Sequence, residues 1–251
     1  MPQEASAILS NLGRYFSLSD DDRSLLLELE KDRHSMAGKS ALWQAGDKVD
    51  KLYVIQSGWA YTYRDKFDGQ RHIIDVLLPG DIIGLRDLTF ATHKTSARML
   101  TRGMVSIFSH KCIVDIIDGS TALTLALLAS IARQEAMLNE RMLMAIHHSA
   151  RSRIMHFIIE THIRLNKLNP TDLHQFYLPL TQAMLGEVLG LTIVHINRTL
   201  ASLERDGILI KHRHHIEILD EQRLIVEAEF DSDYLSDEMD GLKEYLKLTK
   251  A

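Results

Sequence analysis

Cysteine is almost absent: the 251 residues hold one, Cys112. A single thiol excludes an intramolecular disulfide, a thiolate zinc site and a four-cysteine iron–sulfur cluster. Long apolar runs are missing too. The longest apolar-leaning stretch, 122–129, is interrupted by Thr124 and falls well short of the ~18 residues that a membrane span needs. The opening MPQEASAILS has neither the basic start nor the apolar stretch of an export signal, so a cytoplasmic protein with no membrane partner is expected. No Gly-x-Ser-x-Gly, phosphate loop, dinucleotide fingerprint or His-Glu-x-x-His occurs. No catalytic residue is therefore assigned, and an enzyme is not expected. What remains is ordinary globular usage, 45% apolar and 25% charged, which rules out a disordered or fibrous chain and leaves room for two modest domains.

The formal net charge of −5 argues against nucleic acid only if it is spread evenly. It is not. Between 221 and 251 there are nine acids and four bases, which accounts for the whole excess. The stretch 150–215 carries eight Lys or Arg against five acids, with seven histidines besides.

Ser19-Asp20-Asp21-Asp22 is a capping cluster, so residues 1–35 read as helical. From 36 to 118, glycines at 46, 58, 69 and 80 punctuate the β-rich runs KLYVIQSG, WAYTYRD and RHIIDVLLPG, the signature of an antiparallel sandwich or barrel. Asp68-Gly69 marks a hairpin tip. Between Ser120 and His148 there is neither Gly nor Pro, which predicts one long helix. Leu127, Ile131, Gln134, Leu138, Arg141 and Ala145 recur on it at alternating four and three, the spacing of a coiled-coil seam. Packing onto its own β domain and a parallel homodimer both fit this helix. Its length, and apolar Leu128, Met137 and Met144 off the seam, favour the dimer. A further helix, Arg151 to Leu165, breaks at Asn169-Pro170.

The most informative stretch is LTQAMLGEVLGLTIVHINRTLASLERDG, 180–207. Thr181 caps a short helix with an apolar face at Leu185, Val188 and Leu189; Gly190 ends it. Thr192 caps a second helix whose inward positions are Ile196, Leu200 and Leu203. That is a helix-turn-helix pattern, and it sends the second helix into a DNA major groove. Ile193, Val194, His195, Asn197 and Arg198 then face bases and phosphates. Arg198 suits guanine, whose O6 and N7 match its fork; Asn197 suits adenine or a phosphate. Thr181, Gln182 and Thr192 sit where helix N-termini meet the sugar-phosphate backbone. An ordinary αα-hairpin with solvated polar residues is the bland alternative. Beyond it, two apolar runs flank the basic tip Lys211-His212-Arg213-His214-His215, a β-hairpin wing whose Lys211 and Arg213 suit phosphates. Adjacent His214 and His215 point to opposite faces of a strand, so at most two of these histidines share a side, and no metal site is assigned.

In that order these parts resemble the Crp/Fnr family of bacterial transcription regulators, through AGDKVDKLYVIQSG (45–58), LLPGDIIGL (77–85) and LTQAMLGEVLGLTIVHINRTLASLERDGIL (180–209). The resemblance implies an α+β chain: an N-terminal antiparallel β-roll, jelly-roll-like sensor domain (1–119), a dimerisation helix (120–148), a C-terminal winged helix-turn-helix (149–220) and an acidic extension (221–251). It implies a homodimer on a palindromic operator of double-stranded DNA, in contact with RNA polymerase. Arg198 falls on the family's guanine-reading arginine, while Val194 stands where many members carry a base-reading glutamate. Members that bind cyclic nucleotides use Gly-Glu and, eleven residues after the Gly, Arg-Ser-Ala. Here Gly84 and Thr95-Ser96-Ala97 keep that spacing, but Leu85 replaces the glutamate and Thr95 the arginine. The position that faces the base is Leu138, beside Asn139. A neutral threonine cannot make the bidentate pair that arginine makes with phosphate, so cyclic-AMP gating is not expected. Lys94 and Arg86 lie out of register. No cofactor is assigned and the effector is unknown. The alternative reading is a cyclic-nucleotide- or haem-binding sensor module acting through a protein partner, with His72, His93 and His110 the histidines of the sensor half.

Overall fold

A computed structural model describes residues 6–67, 69–168 and 174–239. Ser19 accepts from the Asp22 N–H at 3.1 Å while the Asp22 carboxylate accepts from the Ser19 N–H at 2.9 Å, so the capping box forms. The helical reading of 1–35 resolves into two helices, α1 (Ala7–Leu12) and α2 (Asp20–Leu29), followed by strand β1 (Arg33–Met36). Seven more strands complete the sensor half: β2 (Ala41–Trp43), β3 (Lys51–Ser57), β4 (Ala60–Asp65), β5 (Arg71–Leu77), β6 (Ile82–Ile83), β7 (Ser96–Met99) and β8 (Gly103–Ser109). The four punctuating glycines all take φ between +81° and +95°, where a side chain would be strained. Of the expected hairpin tip, Asp68 lies outside the described residues.

The strands form two antiparallel sheets, ordered β1-β8-β3-β6 and β2-β7-β4-β5. Alternation along β3 sends Tyr53 and Ile55 inward to meet Ala60, Leu77, Ala97 and Met99 of the second sheet. Leu52 and Val54 point the other way, and are covered by α1, α2, α3 (Cys112–Gly119) and the start of α4 (Thr121–His147). Both faces of β3 are thus buried over 52–55, which is why Leu52-Tyr53-Val54-Ile55 is a continuous apolar run.

The long helix expected over 120–148 is α4, capped by Ser120, whose hydroxyl accepts from the Leu123 N–H at 3.1 Å. It turns at His148 into α5 (Ala150–Leu168). The expected break at Asn169-Pro170 lies outside the described residues. Then come β9 (Gln175–Tyr177), α6 (Gln182–Leu189), α7 (Ile193–Arg205), β10 (Leu209–Lys211), β11 (His215–Ile218) and α8 (Glu221–Ala228). The wing has three strands, not two: β9 pairs with β11 along His215–Tyr177, Ile216–Phe176 and Glu217–Gln175.

The boundary expected at 220/221 needs correction. Helix α8 packs on α5 and buries Leu224 and Ala228 in the same core as Ile196, Leu200 and Leu203. Residues 229–239 then return as a strap across α4 and α5. Its Leu235 is buried, its Tyr234 carbonyl accepts from Arg133 at 2.8 Å, and its Asp237 pairs with Lys167 at 2.8 Å. The acidic composition pointed to a solvated extension; the described part is held by one acid, Asp237, that meets Lys167 on α5, by the Tyr234 carbonyl on Arg133 and by the burial of Leu235.

Candidate nucleic-acid interface and sensor cavity

Thr181 caps α6 by accepting from the Met184 N–H at 3.2 Å, and Thr192 caps α7 by accepting from the His195 N–H at 3.3 Å. Gly190 closes α6 in the left-handed region at φ +63°. One glycine went unnoticed in the sequence. A Cβ on Gly186 would stand 2.6 Å from the Leu191 carbonyl oxygen, so only glycine lets the turn fold this tightly against α6. Ile196, Leu200 and Leu203 hold α7 to the core. Its other face carries His195, Asn197 and Arg198 to solvent, with Ile193 49% and Val194 67% exposed. Two apolar side chains so open at the first turn of a capped helix are suited to a thymine methyl.

Among the described residues, neither Arg198 nor Arg213 has an ion pair, and both are exposed. Other arginines are committed. Arg151 donates to Asp206 at 2.7 Å and Glu227 at 2.9 Å, bracing the end of α7 against α8, and Arg153 caps the Leu189 carbonyl. Gln182 is exposed beside Thr181 at the start of α6. Lys211 departs from its expected phosphate role: its ammonium donates to the carbonyls of His212 at 2.7 Å and Arg213 at 3.1 Å, and burial lowers its pKa. It closes the hairpin tip rather than facing outward. His212 lies 3.3 Å from Glu217, and His215 packs edge-on to Tyr177. Among the described residues no three His, Cys, Asp or Glu side chains gather in a group that would hold a metal ion.

In the sensor half a cavity of about 190 Å³ lies between the sheets and α4. Of the seven expected pocket residues, Gly84, Thr95 and Leu138 line it. The other four do not. Leu85 turns into the core beneath α1 and α2, Ala97 is fully buried between the sheets, and Asn139 is exposed on another face of α4. Ser96 is a structural link, accepting from the Ala45 N–H at 2.9 Å.

Sequence reasoning placed Arg86 out of register, and the structure corrects this: Arg86 lines the cavity, where its guanidinium donates to Asp75 at 2.9 Å and to the Gln134 carbonyl at 3.3 Å. Lys94 instead lies over the Phe90 ring. Asp75, only 2% exposed, also accepts from Arg141 at 2.9 Å, and Arg141 continues to Glu160 at 2.7 Å. The Tyr234 hydroxyl donates to the same Glu160 at 3.0 Å. Burial works to raise the Asp75 pKa, but Arg141, Arg86 and Arg164 outweigh it and hold the carboxyl below its ordinary value. The result is a chain of buried charges from the cavity wall, through α4, to α5. Beside it His93 is buried, 2.9 Å from Asp87 and stacked on Trp43 at 4.2 Å. His72 lines a different cleft, against α6, and no described cavity brings two of His72, His93 and His110 together.

The expected seam on α4 is also corrected. Leu127 is in the core of the N-terminal helices, Ile131 packs against it, Gln134 is buried, Leu138 lines the cavity and Arg141 is locked in the charge chain. Ala145 alone of the six is exposed. The open face lies one residue on: Leu128, Ala132, Glu135, Asn139, Met142 and Ile146 repeat the same four-three spacing, with Leu128, Met142 and Ile146 each more than half exposed. No described helix is long and apolar enough to cross a membrane.

Known proteins share this arrangement. A family model described as cyclic nucleotide-binding domain matches residues 33–120, and one described as Crp-like helix-turn-helix domain matches 152–226. An anaerobic regulatory protein of Pasteurella multocida is 26% identical over 86% of this chain and 79% of its own. The transcriptional activator protein FnrL of Cereibacter sphaeroides is 26% identical over 85% and 86%. Among solved structures, FixK2 from Bradyrhizobium japonicum superposes with a TM-score of 0.69 at 23% identity, over 76% of this chain and 94% of that one, which shows the shared fold.

Proposed function

The chain belongs to the Crp/Fnr family of transcription regulators, and on that premise we propose that it binds a palindromic operator as a homodimer without needing a cyclic nucleotide. The observation that carries the reading is the outward face of α7, where Arg198 stands exposed and unpaired among the described residues beside Ile193, Val194 and Asn197. Arg198 reads a guanine, Val194 and Ile193 pack on thymine methyls, and Thr181, Gln182, Thr192 and Arg213 anchor phosphates. The partner subunit docks on the open face of α4 at Leu128, Met142 and Ile146. RNA polymerase is the protein partner in this reading, and the cytoplasm its place.

Two features support independence from cyclic nucleotides. Thr95 brings no charge to the cavity, and the one guanidinium that does face it, Arg86, is already bound to Asp75. A nucleotide phosphate would have to displace a buried carboxylate. Selection of bound sequences from random DNA, repeated with Arg198→Ala, tests the proposal. The wild-type chain should enrich an inverted repeat, and the variant should lose preference at one base per half-site. Enrichment of no sequence would overturn it.

A further inference from the structure

A second pocket, separate from the sensor cavity, lies between the end of α1, α4, α5 and the strap. Its volume is about 40 Å³, room for roughly three waters or one compact oxyanion. Four cations line it, Arg14, Arg133, Arg164 and Lys167, against two carboxylates, Asp81 and Asp237. The carboxylates are taken: Arg164 holds Asp81 at 3.0 Å and Lys167 holds Asp237 at 2.8 Å.

Among the described residues, that leaves Arg14 and Arg133 without a carboxylate in hydrogen-bond contact. Arg14 donates only to the Asn11 carbonyl at 3.1 Å and its side-chain oxygen at 2.8 Å. Arg133 donates to the Tyr234 carbonyl at 2.8 Å, reaches Asp237 only at 3.9 Å, and has its Nε buried with no partner. The two guanidiniums flank one buried ring, Tyr15, at 5.6 and 5.8 Å from its centroid. Two like charges drawn to one ring, one of them 16% exposed, are costly unless an anion balances them. Guanidinium forks fit the oxygens of phosphate or carboxylate in pairs.

We propose that this pocket binds a small oxyanion, a phosphate or carboxylate group, between Arg14 and Arg133. Because Arg133 also holds the strap through the Tyr234 carbonyl, a bound anion ties the end of α1, α4 and residues 229–239 together at one point. The site does not depend on the DNA-binding reading, and its test needs no DNA.

Full-length protein is titrated calorimetrically with inorganic phosphate and with malonate, at ionic strength matched with chloride, and its thermal unfolding is followed in the same buffers. Saturable binding of either anion, with a higher melting temperature than in chloride, is expected. Tighter phosphate binding assigns the phosphoryl source, and tighter malonate binding the carboxylate source. Arg133→Gln should weaken the preferred anion at least roughly tenfold. Should that variant loosen the strap and fail to fold, Arg14→Gln, whose hydrogen bonds among the described residues go to Asn11 and not to the strap, should give the same loss while Arg14→Lys keeps part of the affinity. Anion effects equal to those of chloride, or binding unchanged in Arg14→Gln, would overturn the proposal.

Discussion

Two arginines stand at the working ends of this molecule in opposite states. Arg198 on α7 is exposed and, among the described residues, unpaired; Arg86 at the sensor cavity is bound to buried Asp75 and to the Gln134 carbonyl. The difference lies in what surrounds each. Among the described residues no carboxylate pairs with Arg198, so the guanidinium is available to any polyanion that docks. Around Arg86 the strand and α4 supply acceptors already in place, so the same group becomes a strut. One chain thus has a read-out end prepared for nucleic acid and a sensor end whose charge is internally balanced.

The largest blow to that contrast falls on the sensor side. Arg141→Leu would leave Asp75 with Arg86 as its one hydrogen-bonded cation among the described residues and Glu160 without its closest cation, and should cost roughly 3–5 kcal/mol in urea unfolding. A cost below about 1 kcal/mol would mean that water screens the charge chain as it does a surface pair. Next is the open face of α4. Met142→Glu with Ile146→Glu should give folded monomers by ultracentrifugation, with operator affinity lowered by roughly 10²-fold because the second half-site is no longer tethered. Leu127→Glu should unfold the sensor half instead, since Leu127 is in its core. Persistent dimers in the double variant would place the contact elsewhere.

Smaller effects sharpen the read-out side. Arg198→Ala should cost ~1–3 kcal/mol at one base position per half-site; equal weakening at every base would make Arg198 a phosphate contact. Thr192→Ala removes the cap of α7 and should cost about 1 kcal/mol of stability by thermal unfolding. No loss would show that the core, not the cap, sets where the helix begins.

The two ends differ equally in how far the chain's order announces them. Thr181, Gly190 and Thr192 act on neighbours two to four residues away, so the helix-turn-helix is legible from local spacing. The sensor chain is not local: Arg86 and the Gln134 carbonyl are 48 residues apart, and Asp75 and Arg141 are 66. Its one advance signal was a lone acid inside RHIIDVLLPG, an apolar strand run that seldom tolerates a charge without a buried partner. On α4 the four-three spacing occurs in two registers one residue apart, and only packing against the sheets decides which of them is left open. The strap was hidden by composition, because acids read as solvated until bases on another element meet them; Phe230 and Tyr234, packed with His156, were the counter-signal.

The most direct test of the central claim is fluorescence anisotropy of a selected operator duplex titrated with the full chain, without nucleotide and then with cyclic AMP. Binding of two chains per duplex, unchanged by the nucleotide and falling steeply as salt rises despite the net charge of −5, is what the account predicts. Binding that begins only when cyclic AMP is added, or that ignores salt, would contradict it.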